Sequence, residues 1–229
     1  MSKIKKHLEN FKNNLTLKDR VYKNIKSQII LGNIKPETKL LEKELSEAMG
    51  ISRGPIREAL SKLEKDGFVE SNPRKGFTVT NITSQEIKDI LEEREVLEQF
   101  VIKKTFKNID QIKLKALENE LKEKLSEMTK IVDSSKKIQE NHFFLDNKFH
   151  NFFTQGCGNK KIIETLGNLQ DHIHRLQSFV YKRSFFEIST REHLEIIAVI
   201  KKKDFDLFRK KLNQHGNNLK KLLLSRINE

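Results

Sequence analysis

Apolar positions in the first part of the chain recur every three or four residues, the spacing of amphipathic helices. Leu17, Val21, Ile25 and Ile29 form the first stripe, which Gly32 stops and Pro36 keeps from resuming. Leu41, Leu45 and Ala48 give a short second helix over about 41–49, ended by Gly50. Ser52 is placed to cap a third, with Pro55 in its first turn and Ile56, Leu60 and Leu63 on its buried face up to about Asp66. Then the period changes. Residues 68–71 and 77–80 are short β-favouring runs around Asn72-Pro73-Arg74-Lys75-Gly76, a hairpin with a basic tip. Three helices followed by such a hairpin make a winged helix-turn-helix.

After Thr80 the β signal disappears. Thr83-x-x-Glu86 is a capping box opening a long helix to about Lys107. Further helical patterns cover about 110–132, 136–155, 160–182, 189–202 and 205–226, with Ser189-x-x-Glu192 as a second capping box and Asp204 as the last cap. Six helices with short connections predict an antiparallel bundle. The expected fold is mainly α: an N-terminal arm (1–16), a winged helix-turn-helix (17–80) and an all-helical bundle of six to seven helices (81–229).

Charge sharpens this picture. The 229 residues carry a formal net charge of +13, and up to Thr80 there are 17 Lys and Arg against 10 Asp and Glu. That density favours a polyanion partner for the first third. A single cysteine, Cys157, excludes an internal disulfide. No run approaches the roughly 18 apolar residues of a membrane helix, and the amino terminus lacks an apolar signal core. The expectation is a soluble cytoplasmic protein with no membrane partner.

In a helix-turn-helix the second helix of the pair enters the major groove with its first residues facing base edges. Here that segment begins Ser52-Arg53-Gly54-Pro55-Ile56-Arg57. Arg53 and Arg57 are four apart, opposite the apolar stripe, and an arginine fork matches guanine O6 and N7. Lys43, Arg74 and Lys75 are placed for phosphates or a minor groove, and Ser52 sits at the same exposed helix start. The competing reading is a set of solvated cations paired with Glu58 or Glu64.

Residues 17–80 resemble the GntR family of bacterial transcription regulators. The resemblance rests on Ile30-Leu31-Gly32-Asn33-Ile34-Lys35-Pro36, Leu41-Glu42-Lys43-Glu44-Leu45-Ser46, Ser52-Arg53-Gly54-Pro55-Ile56-Arg57-Glu58-Ala59-Leu60, and Pro73-Arg74-Lys75-Gly76-Phe77. It implies that Arg53, Arg57 and the wing glycine Gly76 lie at the DNA. Two positions depart from the pattern. Glu37 replaces the glycine usual after the proline, and Lys43 stands where relatives often have arginine, so a bidentate contact is not expected there.

In the bundle, Asp146 and His150 are four apart and share a helix face. His193 lies early in the next-to-last helix and His215 midway along the last. One carboxylate and three imidazoles from three helices suit a divalent transition metal, zinc or nickel. Apolar neighbours (Phe149, Phe153, Ile196, Ile197, Leu212) support inward placement, and equally suit satisfied core histidines. The bundle is similar to the FCD domain of the FadR-type subfamily. That resemblance implies a metal at Asp146, His150, His193 and His215, and it matches Arg94 to the family's R-x-x-LE pattern. Arg94 would then pair with a carboxylate effector, and Arg175 similarly; an Arg94–Glu98 ion pair is the plainer reading. His142, His172 and His174 are secondary candidates for the pocket.

These readings predict a ligand-responsive, sequence-specific DNA-binding regulator. It would act as a homodimer on a palindromic double-stranded operator, answer to a small organic acid, and repress, the commoner behaviour in the family. A metal-dependent hydrolase is one rival, but no extra general base, nucleophile motif or phosphate-cradling glycine loop stands out, so no enzyme is expected. An architectural DNA-binding protein without an effector is the other.

Overall fold

The structure, a computed structural model, describes residues 15–73, 76–130, 135–179 and 183–227. Arg74 and Lys75 at the wing tip, and nearly all of the expected arm, lie outside the described residues. The chain divides into two compact units. One comprises residues up to Thr83 together with His174–Phe179, and the other Ser84–Ile173 with 180–229.

In the first unit, α1 (Leu17–Ile30), α2 (Glu42–Met49) and α3 (Arg53–Lys65) surround a core of Val21, Ile25, Ile29, Leu45, Ile56, Leu60 and Leu63. Thr16 caps α1 by accepting from the Asp19 N–H. Gly50 ends α2 in the left-handed region, φ 65°. Strands β2 (Val69–Asn72) and β3 (Gly76–Val79) form the expected hairpin. A third strand, β1 (Lys39–Leu40), is too short to leave a periodic signal. It adds to β3 in the order β1-β3-β2, all antiparallel, with Leu40 opposite Phe77.

The wing demands glycine at one position and makes do without it at another. Gly76 has φ 82°, and a Cβ there would stand 3.1 Å from Leu41 Cδ2 and 3.2 Å from the Leu40 carbonyl oxygen. A side chain there would be both crowded and strained. Glu37 also has positive φ, 64°, and its N–H donates to the Val79 carbonyl at 2.9 Å. The departure from glycine leaves the turn in the left-handed conformation and charges it to a residue with a Cβ, at about 1–2 kcal/mol.

The second unit holds α4 (Ser84–Thr105), a single 3-10 turn (Phe106–Asn108), α5 (Gln111–Lys130), α6 (Ser135–Gly156), most of α7 (Lys160–Phe179), α8 (Arg183–Lys201) and α9 (Phe205–Ile227). Asp204 caps α9 as expected, accepting from the Leu207 N–H at 2.9 Å. The second capping box does not exist. Ser189 lies inside α8, which starts more than a turn earlier. The cause is apolar: Phe186 is fully buried with its ring stacked on His142 at 4.1 Å, so the residues ahead of Ser189 are drawn into the core. Among the described residues no helix is long and apolar enough to cross a membrane.

Replacing Glu37 with glycine relieves the strain while adding chain entropy to the unfolded state, so a net gain of about 0.5–1 kcal/mol is expected. Thermal unfolding checks it: the first unit's transition should rise in Glu37→Gly by a few degrees, with DNA affinity unchanged.

Candidate DNA-binding face and candidate metal centre

The helix-turn-helix presents Ser52, Arg53 and Arg57 at the exposed start of α3, and Lys43 exposed at the start of α2. Ser52 holds the N-cap position with extended backbone, yet its hydroxyl makes no capping bond. The first turn of α3 thus keeps unpaired donors facing outward, the arrangement that binds phosphate. Arg57 pairs with neither of the acids expected for it. Its Nε and Nη2 donate to Glu42 Oε1 and Oε2, each at 2.8 Å, across the turn from α2. Glu58 instead meets Lys18 at 3.1 Å, and Glu64 accepts from the Ser71 N–H at 3.0 Å. The Arg57 side chain is still 68% exposed. Its Nε edge is held, and its end, with Nη1 and the outer side of Nη2, points away from Glu42. The hydrogen bond from Arg57 keeps the Glu42 carboxyl below its ordinary range.

In the second unit the four expected metal ligands meet. Asp146 and His150 (α6), His193 (α8) and His215 (α9) are all buried, and one ligand atom from each lies within 4.8 Å of the others. His193 Nε2 is 3.2 Å from His215 Nε2 and 3.5 Å from Asp146 Oδ1; His150 Nε2 is 3.7 Å from Asp146 Oδ1. An ion with bonds of about 2.1 Å sets neighbouring ligands roughly 3–3.5 Å apart, so these separations fit.

The outer nitrogens explain which way the rings face. His150 Nδ1 lies 2.9 Å from Glu98 Oε1, and His215 Nδ1 lies 2.6 Å from Glu192 Oε2. Each carboxylate takes the Nδ1 proton and leaves a lone pair on Nε2. Asp146 Oδ2 accepts from Gln170 Nε2 at 2.5 Å, which turns Oδ1 inward. The His193 ring is stacked on Phe149, with centroids 3.9 Å apart. Two imidazole lone pairs and a carboxylate oxygen therefore converge, with His193 able to supply one proton. His150 Nε2 is buried and has no hydrogen-bond partner among the described residues. A knot of buried acceptors is costly unless a cation joins it. The donor set fits a divalent transition metal.

Glu98, Glu192 and Gln170 were invisible to sequence reasoning as site residues; only the position of Glu98 beside Arg94 hinted at one. Glu98 Oε1 also accepts from Arg94 Nε at 2.9 Å. Burial alone would raise the Glu98 carboxyl, but Arg94 and then His150 hold it down to about 2. Burial, with the nearby Arg94 charge, lowers His150. Burial, with the neighbouring His215 ring, puts His193 well below the ordinary imidazole value. Both rings are thus neutral near pH 7, the form that binds metal.

Arg94 is brought to this cluster. It is buried, and its Nη2 has no hydrogen-bond partner among the described residues. Arg175 is not brought there. It groups with the first unit, where Nη1 donates to Thr80 Oγ1 at 2.8 Å and Nη2 to the Thr80 carbonyl. His142 is buried against Phe186, one turn before Asp146, and His172 and His174 are buried on α7. A cleft of about 290 Å³ reaches His215, lined also by Arg191, Glu192 and Lys211. A larger groove of about 790 Å³ runs along α5 and α6 and contains none of the four ligands.

Residues 17–79 match the gntR family of bacterial regulatory proteins, and residues 89–218 match the FCD domain. The gluconate operon transcriptional repressor of Bacillus licheniformis is 31% identical over 205 residues, covering 86% of this chain and 80% of its own. The HTH-type transcriptional regulator YdhC of Bacillus subtilis is 29% identical, covering 86% of each chain. Among solved structures, E. coli McbR/YncC superposes with a TM-score of 0.77 at 20% identity, over 92% of this chain and 98% of that one, which shows the shared fold. The chain therefore belongs to the gntR family, in its FCD-bearing form, and is a transcriptional regulator rather than an enzyme.

Proposed function

We propose that this regulator is a metal-loaded sensor of a small organic acid that represses by gripping a palindromic operator as a homodimer. A DNA-binding head at residues 17–80 precedes an effector domain from residue 81. The observation that carries it is the convergence of Asp146, His150, His193 and His215, with His150 Nε2 buried and unpartnered. Zinc or nickel suits three imidazoles and one carboxylate. When bound, the ion supplies a Lewis-acid position for an effector carboxylate.

The chain's own residues do the remainder. Glu98 and Glu192 fix the His150 and His215 tautomers, and Gln170 aims Asp146. Arg94 offers its unpaired Nη2 to a carboxylate that enters the site. Arg175 takes no part in this reading, because Thr80 already occupies both of its Nη groups. The acid regulates only if it binds one arrangement of the dimer more tightly than the other. Repression accords with the Bacillus licheniformis relative, which is a transcriptional repressor.

At the DNA, Arg53 and Arg57 meet base edges while Lys43, Ser52 and the α3 N-terminus meet phosphates; Arg74, Lys75 and Gly76 form the wing contact. Because Glu42 holds the Nε edge of Arg57, the guanidinium is presented end-on, with Nη1 and Nη2 available to guanine O6 and N7. Glu42 is thus a positioning residue.

Two measurements test the reading. A duplex selected from a randomised pool by the full chain, compared with a scrambled duplex, reports discrimination. Arg57→Ala should lower the affinity ratio by about 10- to 100-fold, the equivalent of one lost bidentate base contact. Glu42→Gln removes a negative charge near the duplex, so it should strengthen scrambled binding while weakening selected binding; a rise in both would deny the positioning role. Metal content after dialysis reports the centre. His150→Ala should lose stoichiometric zinc or nickel with its head still binding DNA, and retention of a full equivalent would overturn the ligand assignment.

A further inference from the structure

Helices α4, α6 and α8 run parallel around the Asp–His cluster. His142 stacks on Phe186 and Phe149 on His193, so α6 and α8 advance together in register. Both α4 and α8 run antiparallel to α9: Glu92 meets Lys220 while Gln99 meets Asn213, and Glu192 meets Asn218 while Glu195 meets Lys211. One level of the bundle therefore holds Glu98, His150 and His193. The level one turn earlier holds Arg94, Asp146 and Ser189, each four residues before its counterpart.

Ser189 is buried in that earlier level, and its hydroxyl has no hydrogen-bond partner among the described residues. A serine or threonine inside a helix can donate to the carbonyl four residues back. The neighbouring Thr190 does so, to Phe186 at 2.9 Å, as do Thr105 and Thr154 on other helices. Ser189 does not, and it faces the cluster. His193 reaches Asp146 on α6 and His215 on α9, while Glu192 reaches only toward α9. At about 100° per residue, Ser189 falls roughly 40° from His193, on the side of Glu192, and Thr190 falls on the other side. Arg94 Nη2, at the same level on α4, is likewise buried and without a partner among the described residues. The cleft of about 290 Å³ that reaches His215 adjoins this turn of α8 through Ile188 and Glu192.

We propose that Ser189 is a specificity-determining residue of the effector site, its hydroxyl reading a hydroxyl carried by a short acid whose carboxylate Arg94 holds. The two unsatisfied groups are complementary in kind: a guanidinium edge for the charged end, and a neutral alcohol that can both donate and accept for the substituent. A hydroxy acid satisfies both at once. A plain alkanoic acid sets a methylene against Ser189 and leaves the buried hydroxyl unpaired, which is the kind of mismatch that separates two ligands of nearly equal size. The proposal rests on the acid-sensing reading above and adds the chemical class of the acid and the residue that selects it.

Titration calorimetry of the zinc-loaded full chain tests it, with metal content and helical circular dichroism recorded for each variant. The probes are propanoate with 2- and 3-hydroxypropanoate, and butanedioate with its 2-hydroxy form. At least one hydroxy acid should bind about tenfold or more tightly than the acid without the hydroxyl. Ser189→Ala removes one oxygen and favours the helix. It should bring that ratio to within about threefold, with zinc still stoichiometric and the plain acid bound no more weakly. Thr190→Val, which removes the neighbouring hydroxyl, should leave the ratio unchanged. Three results would overturn the assignment: a ratio that survives in Ser189→Ala, an equal loss in Thr190→Val, or an unaltered chain that binds plain and hydroxy acids alike. If none of the acids binds, the acid-sensing reading falls and Ser189 with it, so the two failures are told apart.

Discussion

A carboxylate that stays charged inside the bundle is what the candidate metal centre is built upon. The Glu98 side chain is only 17% exposed, and Arg94 and His150 together keep it ionised. Its Oε1 is shared between them, at 2.9 Å from each. A buried ion pair costs desolvation that its attraction barely repays, so it is weak evidence for stability and better evidence for orientation. Here the orientation has a definite result. The His150 ring is turned so that its second nitrogen faces Asp146, and the same logic repeats at Glu192 and His215. Three helices can then bring acceptors to one point without a compensating set of donors.

The DNA-binding head uses the same device in water. Glu42 fixes the Arg57 fork from the neighbouring helix, leaving the end of the guanidinium free. Because the pair is largely solvated on the arginine side, it adds little to stability. Its effect is on rotamer freedom: a planar group held along one edge loses less entropy when its other edge meets a base. In both units, then, an acid spends its charge on aiming a basic side chain rather than on holding the fold together.

Most of the architecture was legible because it rests on periodicity. The stripe from Val21 to Ile29, the glycine stops and the switch to alternation at Phe68 are local signals, and the packing followed them. The Asp146/His150 pair was legible for the same reason: four residues on a helix put two side chains on one face. What escaped depended on contacts distant in sequence. Strand β1 exists only because Leu40 has Phe77 to pair with. Glu42 was one acid among several until the turn brought it to Arg57. The cap expected at Ser189 failed because Phe186 found a place against His142, which no local rule anticipates. Arg175 looked like a ligand for an acid, and instead Thr80, ninety-five positions away, engages it.

Arg94 and Glu98 both belong to α4, so one helical segment carries the support of His150 Nδ1. A helix of 22 residues does not bend freely at its middle. Any shift of Glu98 that accompanies occupation of the site must therefore be shared with the outer side chains, or be absorbed by strain in the helix. Packed interfaces have few alternative arrangements, which makes such a shift a choice between states rather than a graded adjustment.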